Sequence, residues 1–128
     1  MKRPSITDAI KKGLDALPLD IEVWLYGSEA RGDARPDSDI DLLVLFNKPK
    51  VTFEDESQIY NVTTPIEWDC GVAINPMIYP KSQWESRMTP FRMNVLNDGI
   101  RIRNTLNYKH SMIWHNSLRN FMDNHKRK

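Results

Sequence analysis

The sequence predicts a small α/β (α+β) domain, a short sheet covered by helices, on three observations. Two β-rich runs, Ile21 to Tyr26 and Ile40 to Phe46, stand among stretches whose apolar residues recur at helical spacing. Pro18, Gly27, Gly71 and Gly99 punctuate the boundaries between those stretches. A length of 128 residues suits one domain that buries roughly two-thirds of its unfolded surface without covalent staples.

In chain order, Ser5 with Asp8 resembles an N-cap and its acidic partner, ahead of Ile6, Ala9, Ile10, Leu14 and Leu17, so a helix is expected from about Ile6 to Leu17. Gly13 weakens it by ~1 kcal/mol relative to Ala. The first strand, Ile21 to Tyr26, puts Val23 and Leu25 on one side and Trp24 and Tyr26 on the other. The second, Ile40 to Phe46, is apolar on both faces beyond its polar start. Thr52 with Asp55 opens a helix from Phe53 to about Trp68, which Pro65 is expected to kink or split. Val72 to Tyr79 reads as an edge or bulged strand because Pro76 cannot donate to a ladder. Ser82 with Glu85 forms a capping-box pattern, and Thr89-Pro90 opens a further helix that Gly99 stops. Ile100 to Arg103 alternates apolar and basic residues, the pattern of a short last strand with Arg101 and Arg103 as solvated edge charges.

Composition excludes several classes. A net charge of +1 gives no general electrostatic case for nucleic acid as a partner. The single Cys70 forms no internal disulfide, which fits a reducing cytoplasm. The longest apolar run, Leu42 to Phe46, is far short of the roughly 20 residues that span a bilayer, and no early run resembles a signal peptide. A soluble cytoplasmic protein is therefore expected. His110, His115 and His125 offer no i, i+4 pair for a metal.

The chemistry gathers between Tyr26 and Val44. Asp39 and Asp41 alternate at the mouth of the second strand and project to one face, where their repulsion favours a cation between them. Hard oxygen ligands at this spacing suit Mg²⁺, held jointly with phosphates. Gly27 permits a sharp bend and close approach to an anion, and Ser28 offers a hydroxyl and an N–H to phosphate oxygens. Arg31 and Arg35 add positive charge nearby. Alone, a Gly-Ser turn or an Asp-x-Asp surface pair is usually structural; ten residues apart and each beside a strand, they point to a phosphate and metal site.

Gly27-Ser28, ten residues, then Asp39-Ile40-Asp41 resembles the signature of the polymerase-beta-like nucleotidyltransferases, and Arg31-Gly32-Asp33 with Ser38 is similar to the minimal nucleotidyltransferase branch. The resemblance extends more weakly from about residue 20 to residue 103. It implies a nucleotidyltransferase fold, a small mixed β-sheet flanked by helices; residues 1–103 are expected to form that domain, and residues 104–128, which match nothing in the family, a C-terminal helical extension. It further implies transfer of a nucleoside monophosphate from an NTP, ATP above others, with Mg²⁺ or Mn²⁺ on Asp39 and Asp41. The nucleotide would lie against Gly27, Ser28 and Arg31, with Ser28, Asp39 and Asp41 serving catalysis. In the minimal branch a common acceptor is a tyrosine on a HEPN-domain toxin, so a protein acceptor is expected before a small molecule.

Many relatives carry a third carboxylate on the neighbouring strand. Here the matching position falls near Ala73, and Asp69 or Glu67 is the nearest substitute: a strand beginning at Ile66 would bring Asp69 to the metal, whereas a helix persisting to Cys70 would leave both acids on the surface. The alternative function is therefore a degenerate nucleotidyltransferase fold that binds nucleotide or partner and neutralises that partner stoichiometrically. In the tail, Ile113, Trp114, Leu118, Phe121 and Met122 form a helical stripe that either completes the core or docks a second copy or another protein. A homodimer whose second subunit supplies an acceptor pocket is a third arrangement.

Overall fold

The computed structural model describes residues 3–104. The stripe from Ile113 to Met122 and the separate C-terminal extension, Asn104 aside, lie outside the described residues. The elements run α1 (Pro4–Asp15), β1 (Ile21–Tyr26), α2 (Gly27–Arg31), β2 (Ile40–Phe46), α3 (Phe53–Cys70), β3 (Ile74–Pro80), α4 (Lys81–Glu85), α5 (Pro90–Asp98) and β4 (Ile100–Arg103). The strands form one mixed sheet in the order β3-β2-β1-β4. β1 pairs antiparallel with both β2 and β4, while α3 is the crossover that brings β3 back parallel to β2.

Alternation along the strands builds two cores. Ile21, Val23 and Leu25 of β1 and Ile40, Leu42, Val44 and Phe46 of β2 face α1 and α3, where Ile10, Leu14 and Ile59 meet them. On the opposite face Leu43 and Leu45 pack with Val95 of α5 and with Trp24, Tyr26, Tyr79, Trp84 and Phe91. β2 is thus covered on both sides, which explains its unbroken apolar run. Among the described residues no helix is long and apolar enough to cross a membrane.

Helix boundaries depart from the sequence reading in instructive ways. α1 begins at Pro4 with Arg3 as its N-cap and no side-chain cap, so Ser5 lies inside the helix. Proline fits the first helical position because its missing N–H has no intrahelical partner there. α3 runs unbroken through Pro65 to Cys70. An interior proline costs roughly 3 kcal/mol, but this helix has a full capping box between Thr52 and Asp55, a left-handed Gly71 at its end, and Ile59 and Thr63 buried. α4 starts at Lys81 with Pro80 as its N-cap, two residues too early for Ser82 to cap it, and the predicted capping box does not form. Thr89 caps α5 as expected, its hydroxyl accepting the Arg92 N–H at 3.1 Å.

Gly13 is not the simple helix weakness that propensity suggests. A Cβ at this position would lie 2.5 Å from Val62 Cγ1, so the glycine allows α1 and α3 to approach closely. Gly13→Ala is therefore expected to destabilise by about 1–3 kcal/mol through overpacking, outweighing the ~1 kcal/mol helix gain. Chemical denaturation checks the sign; a more stable variant would mean that the two helices part without penalty.

The last strand carries a bulge. Trp24 pairs with Arg101 but Val23 pairs with Arg103, leaving Ile102 as the extra residue. The two arginines, expected on one solvated face, consequently point to opposite sides. Arg101 remains exposed, its guanidinium 5.8 Å from the Trp24 ring centroid. Arg103 is only 2% exposed and donates to the carbonyls of Leu14, Leu17 and Leu19 at the end of α1.

Candidate active site

The site lies at the polar end of β1, β2 and β3, on the sheet face that carries Trp24 and Tyr26. Antiparallel register sets Tyr26 opposite Asp41, so the chain leaving β1 enters Gly27 beside that carboxylate. A Cβ on Gly27 would stand 2.6 Å from Asp41 Oδ2, and Gly27 itself has φ +74. Only glycine meets both demands, a left-handed backbone and a carboxylate resting against it. Gly27 and Ser28 open the short helix α2, whose first N–H groups have no intrahelical partners.

α2 is anchored from behind. Glu29, fully buried, accepts the Arg3 N–H at 2.5 Å and the Arg3 Nε–H at 2.7 Å, tying the start of α1 to this turn. Arg31 is exposed and pairs with Asp33 at 3.4 Å, a weak surface contact that leaves its guanidinium able to turn to another anion. The loop before β2 is closed by Ser38, whose hydroxyl accepts the Arg35 N–H at 2.9 Å while its own N–H donates to the Arg35 carbonyl at 3.0 Å. Ser38 thereby shapes the approach to Asp39. Arg35 is exposed on this turn.

Asp39 and Asp41 are joined from the neighbouring strand by Asn75. The parallel register puts Asn75 opposite Asp41, and its Nδ2 donates to Asp39 Oδ2 at 3.1 Å. Burial pushes the Asp41 carboxyl above its ordinary value; the Asn75 hydrogen bond and Arg31 pull it down, and Asp39 pushes it up. Tyr26 is pushed up to about 12, by burial first and then by Asp41 and Tyr79, so its phenol stays protonated beside Asp41. Its ring packs edge-on against Phe91 with centroids 5.2 Å apart.

The third-acid position thus differs from the sequence reading. β3 begins at Ile74, and the residue abreast of Asp41 is Asn75; Ala73 precedes the strand. Because α3 persists to Cys70, Asp69 falls in its last turn, exposed, and does not join Asp39 and Asp41. Glu67 has a structural task instead, accepting the Ile74 N–H at 2.8 Å where β3 starts. No group of three or more His, Cys, Asp and Glu side chains suited to a metal occurs among the described residues. Two adjacent carboxylates on one face do fit a single hard divalent cation, which commonly takes one or two protein carboxylates together with phosphate oxygens and water.

Asn75, Glu29 and Tyr26 are the site residues that sequence reasoning missed. Asn75 was open to detection by alternation, since Asn75, Met77 and Tyr79 share a face of β3, but its partner depended on a register set through α3. Farther along that face a cavity of about 620 Å³ opens between Tyr79, Trp84, Arg87 and Phe91. Tyr79 lies four residues beyond Asn75, roughly 13 Å along the strand, while Phe91, also in the lining, packs on Tyr26 beside Asp41.

A sequence profile for the nucleotidyltransferase domain matches residues 8–102, which takes in β1, the Gly27 hinge, both aspartates and β3. The chain belongs to the nucleotidyltransferase domain family. The nucleotidyltransferase is also 30% identical over 100 residues to a Methanocaldococcus jannaschii protein, MJ0141, named provisionally as a protein adenylyltransferase, covering 78% of this chain and 90% of the relative. A solved structure described provisionally as a minimal nucleotidyltransferase superposes with a TM-score of 0.50 at 25% identity, over 78% of this chain and 95% of that one. Both agree with the minimal-branch resemblance of residues 27–41. A toxin–antitoxin structure with AMP-PNP matches with a TM-score of 0.50 over 96% of this chain and 94% of its own, and at 15% identity the likeness speaks for the fold alone.

Proposed function

We propose that this nucleotidyltransferase moves a nucleoside monophosphate from an NTP, with ATP the expected donor, to a hydroxyl on a partner protein. The observation that carries the reading is the contact of Asp41 with the Gly27 hinge, with Asp39 two residues before it at the mouth of β2. This joins a carboxylate pair to a turn with free N–H groups, the two halves needed to hold a metal-bound triphosphate. Asp39 and Asp41 would hold Mg²⁺ or Mn²⁺, and when bound the cation would offset charge at the α-phosphate as pyrophosphate leaves. The chain's own part is positional. Gly27 leaves room for the phosphates, the N–H groups of Ser28 and its neighbours donate to them, and Arg31 turns from Asp33 toward their negative charge. Tyr26, kept neutral, walls the site on the Phe91 side.

A protein acceptor is favoured by the likeness to a relative named as a protein adenylyltransferase, which this chain covers almost end to end. A HEPN-domain partner is the acceptor that the minimal-branch resemblance nominates. The cavity between Trp84, Arg87 and Phe91 offers an aromatic and cationic seat for a partner's side chain on the same sheet face. A cytoplasmic setting, with residues 1–103 as the transferase domain and 104–128 as a C-terminal extension, completes the reading. The test is incubation with α-labelled ATP, Mg²⁺ and candidate partner proteins. Label bound covalently to a partner is the expected result. Tight nucleotide binding with no label on any partner would replace the enzyme with the second reading, a stoichiometric binding module, which the amide at position 75 favours.

A further inference from the structure

We propose that Asn75 limits this site to one divalent cation per bound nucleotide, and that its amide holds Asp39 and Asp41 together in place of a second ion. The inference rests on the nucleotidyltransferase reading and goes beyond it. A two-metal centre needs two cations about 3.5–4 Å apart, each with several hard oxygen ligands. Two aspartates at the mouth of one strand offer at most four carboxylate oxygens, all on one side. The second ion needs an anionic oxygen from the adjacent strand, and the side chain delivered there by the β2–β3 register is Asn75.

Its chemistry is opposite to what a cation requires. The Asn75 amide presents N–H donors toward the carboxylates, with Nδ2 at 3.1 Å from Asp39 Oδ2. Turning the amide to present its oxygen would set that oxygen against Asp39 and would supply a neutral ligand where an anion is needed. The hydrogen bond instead fixes the Asp39 carboxylate and tempers the repulsion between the two acids, a task that a bridging second metal would otherwise perform. Among the described residues no third acid joins the pair: Asp69 lies on the exposed last turn of α3 and Glu67 is committed to the Ile74 N–H. Asn75 is thus a positioning residue whose identity sets the metal count.

The experiment counts Mn²⁺ bound in the presence of saturating AMP-PNP, by titration and by electron paramagnetic resonance, in the full chain and in Asn75→Asp. One ion per nucleotide complex with no Mn–Mn coupling is expected for the natural chain, and two coupled ions for Asn75→Asp. Two coupled ions in the natural chain would overturn the proposal while leaving the nucleotidyltransferase reading intact. One ion in a folded Asn75→Asp would overturn it too, since the amide would then not be what limits the count. No nucleotide-dependent Mn²⁺ binding in either protein would sink the functional reading and this proposal with it. Position 75 is exposed on an edge strand, so the substitution leaves both cores untouched.

Discussion

Asp39→Asn/Asp41→Asn is expected to lower nucleotidyl transfer by about 10³-fold or more while the protein stays folded. The size follows from the several kcal/mol that a metal ion contributes to offsetting transition-state charge, at ~1.4 kcal/mol per tenfold. Neither acid closes an apolar core: Asp39 is exposed, Asp41 half-buried, and the strand residues that pack α1 and α3 are their even-numbered neighbours. The fold has reason to tolerate the change. Burial and the nearby Asp39 raise the Asp41 carboxyl above its ordinary value, so its ionised form is less favourable in the folded chain than in the unfolded one. That penalty grows as pH rises through the raised value, and a neutral isostere removes it. Asp41→Asn alone should therefore melt, without ligands, at the same temperature as the natural chain or higher, and should lose the stabilisation that Mg²⁺ and nucleotide give. Thermal melts with and without AMP-PNP separate these effects, and unchanged transfer by the double variant would refute the assignment of both aspartates.

Arg103→Met should be the most damaging substitution far from the site, at about 3–5 kcal/mol. The guanidinium donates to the carbonyls of Leu14, Leu17 and Leu19, which close the α1–β1 connection over the end of the sheet. Removing it leaves carbonyls without donors in a buried place, at roughly 1–3 kcal/mol each where water cannot enter. Burial lowers the Arg103 pKa, yet Asp15 and Asp20 oppose that shift, and an arginine remains charged there. Lysine lacks the planar fork that reaches several acceptors at once, so Arg103→Lys should recover only part of the loss. Arg101→Met serves as the contrast, expected within about 1 kcal/mol of the natural chain because Arg101 is itself exposed, lies 3.9 Å from Glu22, and leaves that buried carboxylate paired with Lys81 at 3.1 Å. Urea denaturation measures all three; a loss below about 1 kcal/mol for Arg103→Met would mean that water or relaxation satisfies those carbonyls.

How much of this was legible in the sequence depends on how local each feature is. β1 and β2 occupy the residues that their apolar runs and flanking Gly, Pro and Asp marked, because both signals lie within a few residues of the strand. The facing of Asp39 and Asp41 followed from a period of two, and Thr89-Pro90 announced α5 by cap chemistry. What escaped was long-range. Arg3 and Glu29 are 26 residues apart, and neither has a pattern that names the other. The bulge at Ile102 is a pairing event, so alternation alone put Arg103 on the wrong side. Pro65 looked like an interruption because the packing of α3 on α1 is invisible to a local rule. Asn75 escaped for the same cause, its place being fixed by how the crossover delivers β3 to β2.

The order of strands has a further consequence for how such a site changes over time. Gly27 and Asp39 stand at the two ends of the connection between neighbouring strands and Asp41 lies just inside the second, whereas Asn75 reaches them from the outermost strand of the sheet. A change at position 75 itself touches neither hydrophobic layer and leaves the Gly27 hinge and both aspartates in place. Under the one-cation proposal, the border strand is where a one-residue swap between amide and acid would alter the metal count while the scaffold stays as it is.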